Sequence, residues 1–179
     1  CSAEFLSKTP YLYSTFGTSD DDSASKNKKV VVIGSGPNRI GQGIEFDYCC
    51  VHGVESLKEN NYEAIMINSN PETVSTDYDT ADKLYFEPLS WDEVKAVLAR
   101  EKPDSVIIQL GGQTPLKLAD KISSAGYKIE GSSLDVIDAT EDRDLFQKLC
   151  LSLNIDQPKS KISFNEDELI SAVIDITYP

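Results

Sequence analysis

Short apolar runs rich in β-branched residues recur along the chain, separated by stretches with helical spacing. They are VVVIG at 30–34, AIMIN at 64–68, KLYF at 83–86, SVIIQL at 105–110 and YKIE at 127–130, each of strand length and composition. Between them, Phe46, Cys50, Val54 and Leu57 share one face of a helix over about 45–60, and Val94, Val97 and Leu98 mark a second helix after Trp91. Thr114 and Pro115 read as the N-cap and first residue of a third, with Leu118, Ile122 and Ala125 inward and Gly126 as its stop. Alternating strand and helix predicts a parallel sheet, and strands as apolar as VVVI predict cover on both faces. The expected fold class is α/β, a Rossmann-like domain over 29–139.

The flanks have a different texture. Residues 1–16 mix aromatics (Phe5, Tyr11, Tyr13, Phe16) with small residues, and 17–28 contain no large apolar side chain, the composition of a linker. Past the sheet, Thr140 is expected to cap a helix carrying Leu145, Phe146, Leu149 and Leu153, and Asn165 with Glu168 forms a capping-box start for another. A boundary is therefore placed near 140, with an all-helical segment over 140–179. The chain begins with Cys1 rather than Met and stops at Tyr178-Pro179 directly after an apolar helical pattern, so both ends are expected to lie inside a longer chain.

Charge narrows the partners. With 17 basic and 30 acidic side chains the net charge is −13, a field that repels phosphate backbones, so neither nucleic acid nor an anionic membrane is an expected partner. No apolar run reaches the ~18–20 residues of a membrane span, and no secretory leader pattern opens the chain. Cys1, Cys49, Cys50 and Cys150 lack metal-ligand spacing and have only His52 to assist them. They read as reduced, buried thiols in a cytoplasmic setting, and His52 as an ordinary helix histidine.

Three loops carry candidate chemistry. Gly34, Gly36, Gly41 and Gly43 join the first strand to its helix, where glycines let backbone amides approach an anion at a positive helix end. The same pattern serves tight packing of helix on strand equally well. Its spacing is longer than the dinucleotide fingerprint, and the second strand ends in Asn68 where an acidic residue would hold a ribose, which weakens a nicotinamide-binding oxidoreductase reading. Glu45 stands in the first helical turn, where the helix dipole alone would explain a carboxylate. The polar stretch 68–79, with Glu72, follows the second strand, and Gly111 and Gly112 follow the fourth. By topology all three loops meet at the carboxyl rim of the sheet.

The segments GSGPNRIGQGIEFDYCCVHG, INSNPETVSTDYDTADKLYFEP, EKPDSVIIQLGGQTPLKLA and VIDATEDRDLFQ closely resemble the large chain of the carbamoyl-phosphate synthetase family, in its second, carbamate-phosphorylating half. The resemblance implies a pre-ATP-grasp domain, preceded over 1–16 by the end of a helical oligomerisation domain and followed from 140 by the start of an ATP-grasp domain. It implies a parent enzyme that makes carbamoyl phosphate from bicarbonate, glutamine-derived ammonia and two MgATP. Its partners would be the remainder of the large chain and a glutaminase small subunit or domain, with carbamate as the channelled intermediate. It further implies that Gly43, Glu45 and Glu72 line the carbamate tunnel and that Arg143 approaches nucleotide. For Glu45 and Glu72 the alternative is capping and loop hydrogen bonding, and for Arg143 an exposed ion pair with Glu141, Asp142 or Asp144. No catalytic residue and no metal ligand is expected in this chain, so it would bind no MgATP and turn over nothing alone. The alternative is a non-catalytic packing module.

Overall fold

Two short strands, Ser2–Ala3 (β1) and Tyr11–Tyr13 (β2), precede the first long apolar run, Lys29–Ile33 (β3), in a computed structural model that describes residues 2–3, 9–39, 41–158 and 160–176. Cys1, Phe5 and Tyr178-Pro179, which entered the sequence reading, lie outside the described residues. Then follow Ile44–Glu59 (α1), Glu63–Ile67 (β4), Lys83–Tyr85 (β5), Trp91–Glu101 (α2), Ser105–Ile107 (β6), Gln113–Leu116 (α3), Ala119–Ser124 (α4) and Ile129–Glu130 (β7). These belong to one compact unit ending at Ser133, and Leu134–Pro179 forms a second.

The sheet runs β1-β2-β5-β4-β3-β6-β7, parallel throughout except for β1. Counted from β3, this is the doubly wound order, with its switch point between β3 and β6. The α/β expectation is met. The pleat sorts the side chains. Val32, Ala64, Met66 and Leu84 face α1, where Cys50 and Val54 meet them. Alternate positions, including Val31, Ile33 and Ile65, are buried on the opposite face, where Tyr85 reaches α2 through Glu101. Burying a side chain such as Val54 is worth about 1.5–3 kcal/mol, which is why a 16-residue helix is pinned at those positions.

Three local expectations change. The sequence reading assigns 1–16 to a preceding helical domain, whereas Tyr11–Tyr13 pairs with β5 through Tyr11↔Leu84 and Leu12↔Tyr85. The 17–28 segment, linker-like in composition, is tied to β5 by an ion pair of Asp22 with Lys83 and to α2 by one of Asp20 with Arg100. The helix expected from Thr114 is two short ones: Thr114 sits inside α3, and α4 begins at Ala119, leaving Ala125 exposed. Gly126 does adopt the left-handed conformation that ends α4, at φ 88°.

In the second unit, Leu134–Glu141 (α5), Arg143–Ser152 (α6) and Glu166–Asp175 (α7) are helical. Thr140 does not cap α6. It lies in α5 with its hydroxyl on the carbonyls of Val136 and Ile137, and Asp142 caps instead, accepting from the amides of Asp144 and Leu145 at 2.9 Å. Asn165 and Glu168 do form the expected capping box, with the Glu168 amide 2.9 Å from Asn165 Oδ1. Leu145, Phe146, Leu149 and Leu153 are exposed.

Candidate functional site

Parallel register brings the carboxyl ends of β3, β4 and β6 to one rim. There Gly34 N donates to Ile67 O at 2.9 Å, continuing the β3–β4 ladder by one step. Gly36 then turns away at φ 76°, a conformation glycine adopts without strain, and its amide donates to Asn68 Oδ1 at 3.0 Å. Asn68 is 1% exposed and engages both polar atoms of its side chain: Oδ1 also accepts from Ser69 N at 2.9 Å, and Nδ2 donates to Ser75 Oγ at 3.0 Å. Ser75 N in turn donates to Asp47 Oδ2 at 3.2 Å, reaching the first turn of α1. One neutral amide thus ties the glycine loop, the 68–79 loop and, through Ser75, the helix.

Gly111 and Gly112 close the switch point. A Cβ on Gly111 would lie 2.5 Å from Gly34 O, so the two backbones are already in contact, and one on Gly112 would lie 2.9 Å from the Phe46 ring. In doubly wound folds the crevice at this point admits the ligand. Here it is filled by the chain itself.

The open space lies to one side, in a cleft of about 260 Å³ between the start of α1 and the 68–79 loop. Asn38, Arg39, Gly41, Gly43, Asp47 and Glu72 are among its walls. Gly43 is the N-cap of α1 at φ 80°, and a Cβ there would come within 2.5 Å of Asn38 Nδ2, so the glycine keeps this wall low. Glu72 is exposed, its amide held by Asn70 Oδ1 at 3.2 Å. Glu45 is exposed on the first turn of α1 and is not among the cleft's walls. Arg143, the first residue of α6, belongs to the second unit, where it is exposed; Asp144 pairs with Lys148 at 2.5 Å rather than with it.

The chemistry available is recognition. Polar groups of both signs line the cleft, with Arg39 held by its Nε to Gln42 Oε1 at 3.0 Å. The loop's inner amides, on Gly34 and Gly36, are spent on Ile67 and Asn68, so they do not face a phosphate. Among the described residues no group of three or more His, Cys, Asp and Glu is placed to hold a metal ion. Burial, with the charges of Asp47 and Cys49 adding to it, pushes the Cys50 thiol up to about 12 and keeps it inert. Cys49, expected buried, is exposed, because successive helical residues point some 100° apart. His52 is exposed, pairs with Glu55 at 2.9 Å and meets the Tyr48 ring edge-on. No described helix is long and apolar enough to cross a membrane.

Sequence reasoning missed Asp47 and Arg39 as walls of the cleft and Asn68 as the hub of the rim. Asn68 carried a usable signal, since a polar amide closing an otherwise apolar strand must find partners if it is buried.

Residues 26–139 match the family described as carbamoyl phosphate synthase preATP-grasp domain. Over its whole length the chain is 55% identical to the carbamoyl phosphate synthase large chain of Clostridium acetobutylicum and 52% identical to that of Archaeoglobus fulgidus. It spans 17% of the length of each. Among solved structures, the biotin carboxylase domain of Hydrogenobacter thermophilus 2-oxoglutarate carboxylase superposes with a TM-score of 0.59 at 17% identity, covering 87% of this chain and 34% of that one. An N5-carboxyaminoimidazole ribonucleotide synthetase superposes at 0.56 and 12% identity, covering 86% and 36%. At such identities the structural likeness speaks for the fold alone.

Proposed function

The chain belongs to the carbamoyl phosphate synthase preATP-grasp domain family, and from that premise we propose that it serves within the large chain of a cytoplasmic, glutamine-dependent carbamoyl phosphate synthase. The parent would combine bicarbonate, ammonia from a glutaminase subunit or domain and two MgATP. Residues 29–139 would be the preATP-grasp domain of the carbamate-phosphorylating half, and 140–179 the start of the ATP-grasp domain. In this reading MgATP and its metal ligands are held elsewhere in the large chain, Arg143 approaches nucleotide, and the isolated chain turns over nothing.

The observation that carries the reading is the division of the rim into a filled switch point and an open lateral cleft. A nucleotide site needs free amides and room at the switch point, whereas a passage for a small anion needs low walls and polar groups. Gly43 supplies the low wall, Arg39, Asn38 and Asp47 the polar groups, and Glu72 a carboxylate at the edge. Glu45, outside this cleft, would act along another part of the same path.

The test uses the full-length enzyme with its glutaminase. Glu72→Ala is expected to lower carbamoyl phosphate synthesis about tenfold, equivalent to ~1.4 kcal/mol, while bicarbonate-dependent ATP hydrolysis changes little. Equal loss of both activities would sink the tunnel role. It would favour the packing-module reading, which the engagement of both polar atoms of the Asn68 side chain by its neighbours also supports.

A further inference from the structure

Away from the rim, at the opposite end of the same strands, a cluster of charges is buried. Lys29 of β3 places Nζ 2.9 Å from Glu101 Oε2, and Lys83 of β5 places Nζ 3.3 Å from Glu101 Oε1. Tyr85 donates its hydroxyl to the same Oε1 at 2.5 Å. Arg100, beside Glu101 on α2, is the third cation at this end. The folded body thus sets two buried cations on one buried carboxylate, with the partly exposed Arg100 nearby, and such an excess is costly in a medium of low dielectric.

The balance comes from the segment that composition alone marks as a linker. Asp22 Oδ2 lies 2.6 Å from Lys83 Nζ, and Asp20 pairs with Arg100 Nη1. The carbonyls of Asp22, Ser23 and Ser25 accept from Arg100, Lys83 and Lys29 respectively, the last two at 2.9 Å. Ser25 Oγ adds a hydrogen bond to Glu63. These holds on residues 20–25 are polar, whereas the strands below are held by apolar burial. A cavity of about 260 Å³ with Tyr13, Asp20, Tyr85, Glu87 and Arg100 among its walls lies beneath one end of the segment.

We propose that residues 20–25 form an ionic strap, which pairs its carboxylates with Lys83 of β5 and Arg100 of α2, caps Lys29 of β3 with a carbonyl, and lifts as a unit, opening the cavity below it while the sheet stays folded. The two ends suit this role. Upstream, Ser14 N is anchored on Glu87, and downstream Lys29 enters the sheet through its own amide on Asp104 Oδ2 at 2.8 Å. The strap can therefore open between two fixed points without disturbing β2 or β3.

The experiment is limited proteolysis of the full-length protein with a broad-specificity protease, cuts within 17–28 and within the strands of the sheet being counted separately by mass spectrometry. In the unaltered protein the segment is expected to be cut at least about tenfold more slowly than a free peptide of the same sequence, because cleavage tracks the open population. Asp20→Arg and Arg100→Asp singly should each raise the rate about tenfold, and the two together, which restore the pair with its charges exchanged, should return it to within about twofold of the original. A segment cut as fast as the free peptide overturns the proposal without any variant. So do single reversals that leave the rate unchanged, or a double variant cut as fast as the singles.

Discussion

The two ends of the sheet solve the same problem with opposite means. At the carboxyl rim the buried polar group is a neutral amide, Asn68, whose partners are supplied by neighbouring loops at 2.9–3.0 Å. At the amino end it is a carboxylate, Glu101, 2% exposed and shared by Lys29, Lys83 and Tyr85. Burial opposes ionisation of Glu101, yet the hydrogen bonds from Tyr85 and Lys29 and the charges of Lys83 and Lys29 outweigh it and hold the acid below the usual carboxylate range. Burial likewise works against the charge on Lys83, and Asp22 and Glu101 outweigh it and push Lys83 up. The comparison teaches where adaptability lies: a neutral hub surrounds itself with loops it can rigidify, while a charged one depends on every partner being present.

The sharpest break of that comparison is Glu101→Ala. It leaves Lys29 and Lys83 buried and facing each other, and should cost about 3–5 kcal/mol of stability, read from the urea midpoint by Trp91 fluorescence. Asn68→Ala should cost less, about 1–3 kcal/mol, because the groups it orphans are neutral. Costs in the reverse order would mean that the rim, not the charged end, holds the fold. The smallest effect is expected from acid. With its pKa lowered on folding, Glu101 contributes stability that is present above the ordinary value of 4.5 and is lost as pH falls through that value towards the folded one. A titration of the urea midpoint below pH 5 should therefore show a decline that Glu101→Gln flattens.

Much of the sheet was legible because its signal is local. VVVI and AIMI are apolar at four consecutive positions, and the structure's strand bounds fall within a residue of the runs read for β3 and β4. Helix α1 follows the same logic, with Cys50 and Val54 buried as its periodicity requires. What escaped depends on distant partners. YLY becomes a strand because β5 lies open beside it, and the acidic segment before β3 finds its partners in two cations on other elements, Lys83 and Arg100. At the rim, Gly43 and Glu72 were readable as candidates and do border one cleft, but nothing local to the sequence separates Glu45 from it. Capping also divides on these lines: the Asn165–Glu168 box is contained in four residues, whereas the choice of Asp142 over Thr140 depends on where α5 ends.

The place of β2 in the sheet also sets a schedule. Its neighbour Thr9 bonds Ala81, 72 residues further along, and its ladder partners are Leu84 and Tyr85. During synthesis from the amino terminus, the first of these strands to emerge is thus the one that must wait, since β3, β4 and β5 have to be made before β2 has an edge to join. Long-range closure of this kind is slow relative to the local βα units in between. The chain therefore carries a tyrosine-rich strand, paired with nothing beyond β1, until β5 has been made, and its capture then extends the sheet past β5.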